Sequence, residues 1–184
     1  MMHEKRFHRE IERLRDPERV ARLEVERVVS LALEGLPDAR SLLDIGAGTG
    51  LFAEQFAARG LEVAGVDANP EMIEAARRYV PSGVFEQAEA EMLPFTDDRF
   101  DLAFMGLLLH ETDDTRAALN EAFRVIRRRL AVLEWPDEEQ AFGPPRADRL
   151  TEAQIRKMAG EVGFKRVQAI RLQNLVLYNL DKNA

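Results

Sequence analysis

The chain contains no cysteine. That excludes disulfides, thiolate metal sites and a cysteine nucleophile. Histidine is nearly as scarce: His3, His8 and His110 are scattered and offer no metal-ligand spacing. No apolar run is long enough to span a bilayer. Met1 to Arg15 is charged throughout and lacks the apolar stretch of a signal peptide. These features predict a cytoplasmic protein with no membrane insertion. Basic charge is not in excess either. The net charge is −7, whereas a general nucleic-acid binder needs a basic face to meet phosphates. No nucleic-acid partner is expected. What the chain does have is ordinary for one domain with a real core: 184 residues, 46% hydrophobic and 32% charged. It shows no internal repeat and no low-complexity tract.

Two helical segments are predicted to open the chain. In the second, Asp16 serves as cap and Pro17 suits the first turn. Val20, Leu23, Val28 and Leu31 form its apolar stripe, and Gly35 and Pro37 end it. From Ser41 short apolar runs alternate with helical patterns. Strands are predicted near 42–45, 61–66, 84–87, 100–105 and 130–135, with helices over 51–59, 70–78 and 114–126. That alternation implies a mainly parallel sheet covered on both faces. After a loop over 136–149, Thr151 and Gln154 form a capping box. Two closely linked strands follow and should pair antiparallel. The expected fold is therefore α/β, a Rossmann-like open sheet of seven strands with an antiparallel last strand. It divides into a helical cap (1–38), a ligand-binding core (39–135) and a substrate-side loop with the last helix and strands (136–184).

The most informative segment is Asp44-Ile45-Gly46-Ala47-Gly48-Thr49-Gly50. It lies between a strand and a helix, where open α/β sheets bind ligands. Glycines there let the backbone pass close to a ligand at positive φ. The third glycine comes one residue too early for a dinucleotide fingerprint, which argues against a dehydrogenase. Asp44, just before the glycines, suits a ligand with a cationic amino group. Asp67, ending the next strand, can accept two hydrogen bonds from a ribose diol. The bland alternative is a tight turn with a capping aspartate.

These residues resemble the class I S-adenosylmethionine-dependent methyltransferases, and most of all the small bacterial members related to quinone biosynthesis. The resemblance rests on Leu42 to Gly50, Val66-Asp67-Ala68-Asn69 with Met72, and Ala90-Glu91-Met92-Leu93-Pro94-Phe95. It continues through Phe100-Asp101-Leu102, His110-Glu111, Arg124-Val125-Ile126 and Leu130 to Trp135. It implies S-adenosylmethionine as cofactor, S-adenosylhomocysteine as product, and a small-molecule methyl acceptor. Asp44, Gly46, Ala47, Gly48, Thr49 and Gly50 would hold the methionine portion and Asp67 the ribose. Ala68, Met72, Glu89, Ala90 and Glu91 would border the adenine, and Met105 and Gly106 the sulfonium. Met72 and Met105 have ordinary core packing as their alternative. A Pro-Gly-Gly turn usual in the family is absent. Arg127-Arg128-Arg129 stands there instead and reads as a solvated helix end suited to the macrodipole.

Methyl transfer from a sulfonium needs mainly alignment and exclusion of water. A hydroxyl or acidic-carbon acceptor also needs a base. His110, after the fourth strand, is the candidate base, with packing as its other reading. Glu111 could orient it, and Glu134 is a weaker candidate. Trp135, Phe142, Pro144, Pro145 and Arg146 suit a small, partly apolar acceptor, or else a packed connection. Two alternatives stay open: a non-catalytic cofactor-binding regulator or partner subunit, and a protein or RNA methyltransferase of the same fold. The second lacks support from the Met105-Gly106-Leu107-Leu108 segment, where such enzymes often carry Asn-Pro-Pro-Tyr.

Overall fold

The computed structural model describes residues 11–183; His3 and His8 lie outside them. Seven strands form one sheet: β1 Ser41–Ile45, β2 Glu62–Asp67, β3 Val84–Gln87, β4 Phe100–Gly106, β5 Ile126–Glu134, β6 Arg166–Arg171 and β7 Val176–Asp181. Their order is β3-β2-β1-β4-β5-β7-β6. β1 to β5 are mutually parallel, and β7 pairs antiparallel with both β5 and β6. The expected open, mostly parallel sheet with an antiparallel last strand is therefore present.

The helices are α1 Ile11–Leu14, α2 Pro17–Arg22, α3 Val25–Ala32, α4 Leu51–Ala58, α5 Pro70–Tyr79, α6 Thr115–Val125 and α7 Glu152–Val162. Strand side chains alternate between faces, so two cores form. Leu42, Leu102, Phe104 and Leu133 join the core beneath α3, α4 and α5. Leu43, Ala103, Met105 and Val132 join the one beneath α6 and α7. Phe104 packs against Phe52 and Phe56 of α4, with ring centroids 4.5 and 5.5 Å apart. Each such buried ring contributes about 2–3 kcal/mol of apolar burial, which pins α4, and the turn before it, to the sheet.

Two sequence expectations are corrected. The second N-terminal helix is not continuous: it breaks at Glu24, which is left-handed at φ 50°. In an unbroken helix Leu23 and Val25 would lie about 200° apart, yet both are buried. The break resolves that conflict, and the Glu24 carboxylate accepts from Arg27 Nη1 at 2.7 Å and from the Gln173 N–H at 2.8 Å. The arginine run is not a helix end either. Ile126 is already extended and begins β5 directly after α6. Arg127 reaches Asp101 at 2.9 Å. Arg129 is buried, meets Asp181 at 2.7 Å, and donates to the carbonyls of Ala32 and Glu34 at 3.0 and 2.7 Å. It satisfies carbonyls that the end of α3 leaves without helical partners.

Candidate active site

The chain order reverses between β1 and β4, and at such a switch point the carboxyl ends of parallel strands leave a crevice. Here the crevice is a cleft of about 1400 Å³. Its floor is the turn between β1 and α4. Gly46, Gly48 and Gly50 all take positive φ, at 71°, 53° and 76°, which a Cβ would strain. The Gly46 and Ala47 N–H groups donate to the Val66 carbonyl at 2.8 and 2.9 Å. Asp67 Oδ2 accepts from the Gly48 N–H at 2.8 Å, and Oδ1 from the Asn69 N–H at 2.9 Å. The ends of β1 and β2 are thus one unit, with Asp67 as its clasp.

Asp44 sits beneath this turn at 2% exposure and lines the same cleft. Its Oδ2 accepts from the Ala53 N–H at 3.2 Å. Burial pushes its carboxyl up to about 7; the Ala53 bond opposes this, and the charge of Asp67 adds to it. An acid held so high is one whose ionised form lacks a cation beside it.

The wall beyond β3 is formed by Ala88 to Glu91. Arg124 of α6 anchors the following loop, donating to the carbonyls of Phe95 and Leu93 at 2.6 and 3.1 Å. Glu121 accepts from the Leu93 N–H at 2.7 Å. Glu91 Oε1 accepts from the N–H groups of Asp113 and Asp114 at 3.0 and 3.3 Å. It therefore braces two loops across the cleft edge. After β4, Leu107 takes a left-handed φ of 58°, and Leu108 lies so close to Gly46 that a Cβ there would come within 2.8 Å of it. The chain then enters a 3₁₀ turn, Leu109–Glu111. His110 in that turn is 8% exposed and lines the cleft. Its Nδ1 lies 2.7 Å from Glu134 Oε2.

Two segments cover the opening. Arg15, following α1, donates to Thr49 O at 2.9 Å and to Glu54 at 2.7 Å, with its guanidinium 3.5 Å from the centre of the Tyr79 ring. The other cover is the loop after β5. Arg149 gathers it by donating to the carbonyls of Pro136, Glu138, Phe142 and Pro144. Trp135 and Phe142 pack there at 5.9 Å, and Gly143 lies directly against the Trp135 ring.

Of the residues singled out from sequence, Asp44, Gly46, Ala47, Gly48, Thr49, Asp67 and Ala68 line the cleft together. So do Met72, Glu89, Ala90, Glu91, Gly106 and His110, along with Trp135, Phe142, Pro144 and Pro145. Gly50, Met105 and the buried Glu134 do not. Gly50 caps α4 and faces Val80 and Ala76, while Met105 is fully buried in the α6-side core. Arg146 pairs with Asp137 at 2.7 Å, outside the lining. Sequence reasoning missed Phe52, Leu107, Leu108 and the arginines 13, 19 and 22, all of which line the cleft. The polar face of α2 was the available signal for Arg19 and Arg22. Among the described residues there is no cluster of acidic or histidine side chains able to hold a metal. No helix among them is long and apolar enough to cross a membrane.

Residues 43–130 match the model of a methyltransferase domain. The chain is 41% identical over 92 residues to the uncharacterized methyltransferase YcgJ of Bacillus subtilis, covering 47% of this chain and 36% of that protein. It is 34% identical over 130 residues to the demethylmenaquinone methyltransferase of Thermotoga maritima, covering 68% of this chain and 53% of that protein. The chain thus spans about half the length of these curated relatives, or less. Its fold matches the crystal structure of an S-adenosylmethionine-dependent methyltransferase from Aquifex aeolicus with a TM-score of 0.81 and 24% identity, over 93% of this chain and 96% of that one.

Proposed function

Because this chain carries a class I S-adenosylmethionine-dependent methyltransferase domain, we propose that it binds S-adenosylmethionine and transfers the methyl group in line to a small-molecule acceptor. One observation carries the reading: Asp44 and Asp67 meet on the floor of a single cleft, one buried without a cation and the other clasping the glycine turn.

The residues fit this cofactor. An α-ammonium group beside Asp44 would supply the charge that its buried carboxyl lacks. Asp67 accepts the backbone N–H groups of Gly48 and Asn69, which fix its carboxylate at the cleft, where it would face the ribose hydroxyls. Met72, Ala68 and Ala90 offer an apolar rim for adenine, with Glu89 on the same wall. The cofactor supplies a methyl group on a sulfonium, already activated, with a neutral thioether as leaving group. The chain's own part is to align an acceptor and exclude water. Trp135, Phe142 and Pro144 give the acceptor side an apolar surface, and the Arg22 guanidinium lies 4.5 Å from the Phe142 ring centre. That surface suits a small, partly apolar molecule. The name of the Thermotoga maritima relative makes an aromatic quinol a sensible first acceptor to try.

Calorimetric titration with S-adenosylhomocysteine tests the reading, with a nicotinamide dinucleotide as control. One site is expected for the former and none for the latter. Release of S-adenosylhomocysteine in the presence of an acceptor separates an enzyme from a non-catalytic binder. Folded protein that fails to bind S-adenosylhomocysteine refutes the proposal.

A further inference from the structure

Resting on the methyltransferase reading, we infer that Arg22 anchors a carboxylate on the acceptor. The acceptor class is then a small, flat, partly apolar acid, held by its carboxylate and methylated at another atom.

Arg22 ends α2 and is half-buried on the cleft lining. It stands at one end of a stack. Its guanidinium lies 4.5 Å from the Phe142 ring centre, Phe142 lies 5.9 Å from Trp135, and the Arg149 guanidinium lies 5.6 Å from the centre of the Trp135 ring. The two arginines share an aromatic setting that favours a cation, but their N–H groups differ in use. Arg149 directs its own to the carbonyls of Pro136, Glu138, Phe142 and Pro144 and to Gln140 Oε1. That satisfies the whole guanidinium, and its role is to shape the loop. Arg22 donates no side-chain hydrogen bond to an oxygen of the described residues and forms no ion pair with their carboxylates. Phe142 holds its guanidinium in place and leaves the N–H groups to a ligand. A cation at the C-terminal end of α2 also suits the macrodipole, but that role asks for neither burial nor an aromatic seat.

The surroundings select a carboxylate. Arg13 and Arg19 line the same cap side of the cleft, whereas Asp44, Asp67, Glu89 and Glu91 lie on its floor and on the wall beyond β3. Asp16, the acid of the cap, accepts from the N–H groups of Glu18 and Arg19 at 3.0 and 3.2 Å. Acids outnumber arginines along the lining as a whole. A phosphate monoester, close to a dianion at neutral pH, meets net repulsion there, while a single charge seated on Arg22 is matched. A planar carboxylate fits the guanidinium fork with parallel N–H···O bonds. Phe142, Trp135 and Pro144 give the rest of the molecule an apolar surface. Pairing with the guanidinium occupies carboxylate lone pairs, so the methyl-accepting atom lies elsewhere on the molecule.

Trp135 is the chain's only tryptophan and sits within this stack, so its indole N–H signal reports on the site. That signal is followed by NMR in protein saturated with S-adenosylhomocysteine. The probes are benzoate, 4-hydroxybenzoate and cinnamate, each against its neutral amide. At least one acid should bind about tenfold or more tightly than its amide, the lower end of what charge-assisted hydrogen bonds provide. Arg22→Gln should bring that acid down to the affinity of its amide while S-adenosylhomocysteine affinity stays as in wild type. Arg22→Lys keeps the charge but loses the fork, and should fall between. Arg128→Gln, outside the cleft lining, should match wild type. Equal affinity for acids and amides, no response to any acid, a preference that survives Arg22→Gln, or tighter binding of phenyl phosphate than of every acid overturns the inference. The wild-type comparison needs no variant to fold. A methyl ester formed from any of these acids with S-adenosylmethionine would also overturn it, because the carboxylate would then be the acceptor. Folded wild type that does not bind S-adenosylhomocysteine refutes the methyltransferase reading instead, and the preference for acids is then read on unloaded protein.

Discussion

Replacing Asp44 by asparagine separates what the fold tolerates from what the ligand needs. Asparagine keeps an oxygen for the Ala53 N–H but never carries charge. In the wild type, burial raises the Asp44 carboxyl from 3.8 to about 7. The native state therefore holds a proton that the unfolded chain has already released, and stability falls as pH rises from near 3.8 to near 7. The cost approaches about 4 kcal/mol at pH 7, at 1.36 kcal/mol for each of roughly three pH units. Roughly 2 kcal/mol of it accrues between pH 5 and pH 7. Asp44→Asn escapes that cost. Its advantage over wild type should widen across this window by roughly 2 kcal/mol, or about 4–8 °C in Tm for a chain of this size. The comparison is a difference of differences, so pH effects common to both proteins cancel.

Binding should run in the opposite sense. If the ionised carboxylate is what meets the ligand's ammonium group, wild-type affinity for S-adenosylhomocysteine rises roughly 50-fold from pH 5 to pH 7, as the ionised fraction grows from about 1% to about one half. Titrations in buffers of different ionisation enthalpy should show release of about half a proton at pH 7. Asp44→Asn should bind weakly, with a flat pH response. Thermal unfolding of both proteins at pH 5, 6 and 7, followed by calorimetry at the same values, checks both halves. A stability gap that stays constant across the window would falsify the burial account. Wild-type affinity that is flat with pH would remove Asp44 from contact with a cation.

Other perturbations bear on neighbouring parts of the argument. Asp67→Ala should weaken S-adenosylhomocysteine binding by roughly 2–3 kcal/mol, because two hydrogen bonds to a charged acceptor are lost; calorimetry reads it directly. Gly46→Ala should destabilise by at least about 1–2 kcal/mol from the left-handed backbone alone, and more because the new methyl meets Leu108 at 2.8 Å; denaturant unfolding measures it. Arg129→Ala should cost roughly 3 kcal/mol, since it strands Asp181 and the α3 carbonyls. Arg128→Ala, one residue away, should stay within about 0.5 kcal/mol. Arg149→Ala should raise the acceptor KM while leaving S-adenosylhomocysteine affinity near wild type, because its bonds hold only the loop over the acceptor side.

The contrast between Asp67 and Arg149 also marks what a sequence can disclose. The floor of the cleft was legible because its demands are local. A buried strand, a turn at positive φ and a helix start fall within ten residues of Asp44, and glycine alone meets the backbone requirement at Gly46 and Gly48. Asp67 announced itself by ending the next strand. The arginines were not legible, because most of their partners are carbonyl oxygens, which every residue has. Nothing in the pattern Arg127-Arg128-Arg129 says that the third will reach Ala32 and Glu34, nor that helix passes into strand at Ile126 without a turn. His110 and Glu134 were each visible as polar residues near strand ends, but their 2.7 Å contact depends on how β4 and β5 lie side by side.

This division has a functional consequence. The legible residues build the floor of the cleft, where we place the cofactor. The less legible ones, such as Arg149 gathering the loop from Pro136 to Pro144 and Arg22 stacked on Phe142, build the wall that we propose for the acceptor. Side chains on that loop can change while Arg149 still holds its carbonyls. A fold of this design can keep one cofactor and exchange acceptors, because the contacts that shape the acceptor wall are not those that clasp Gly48 to Asp67.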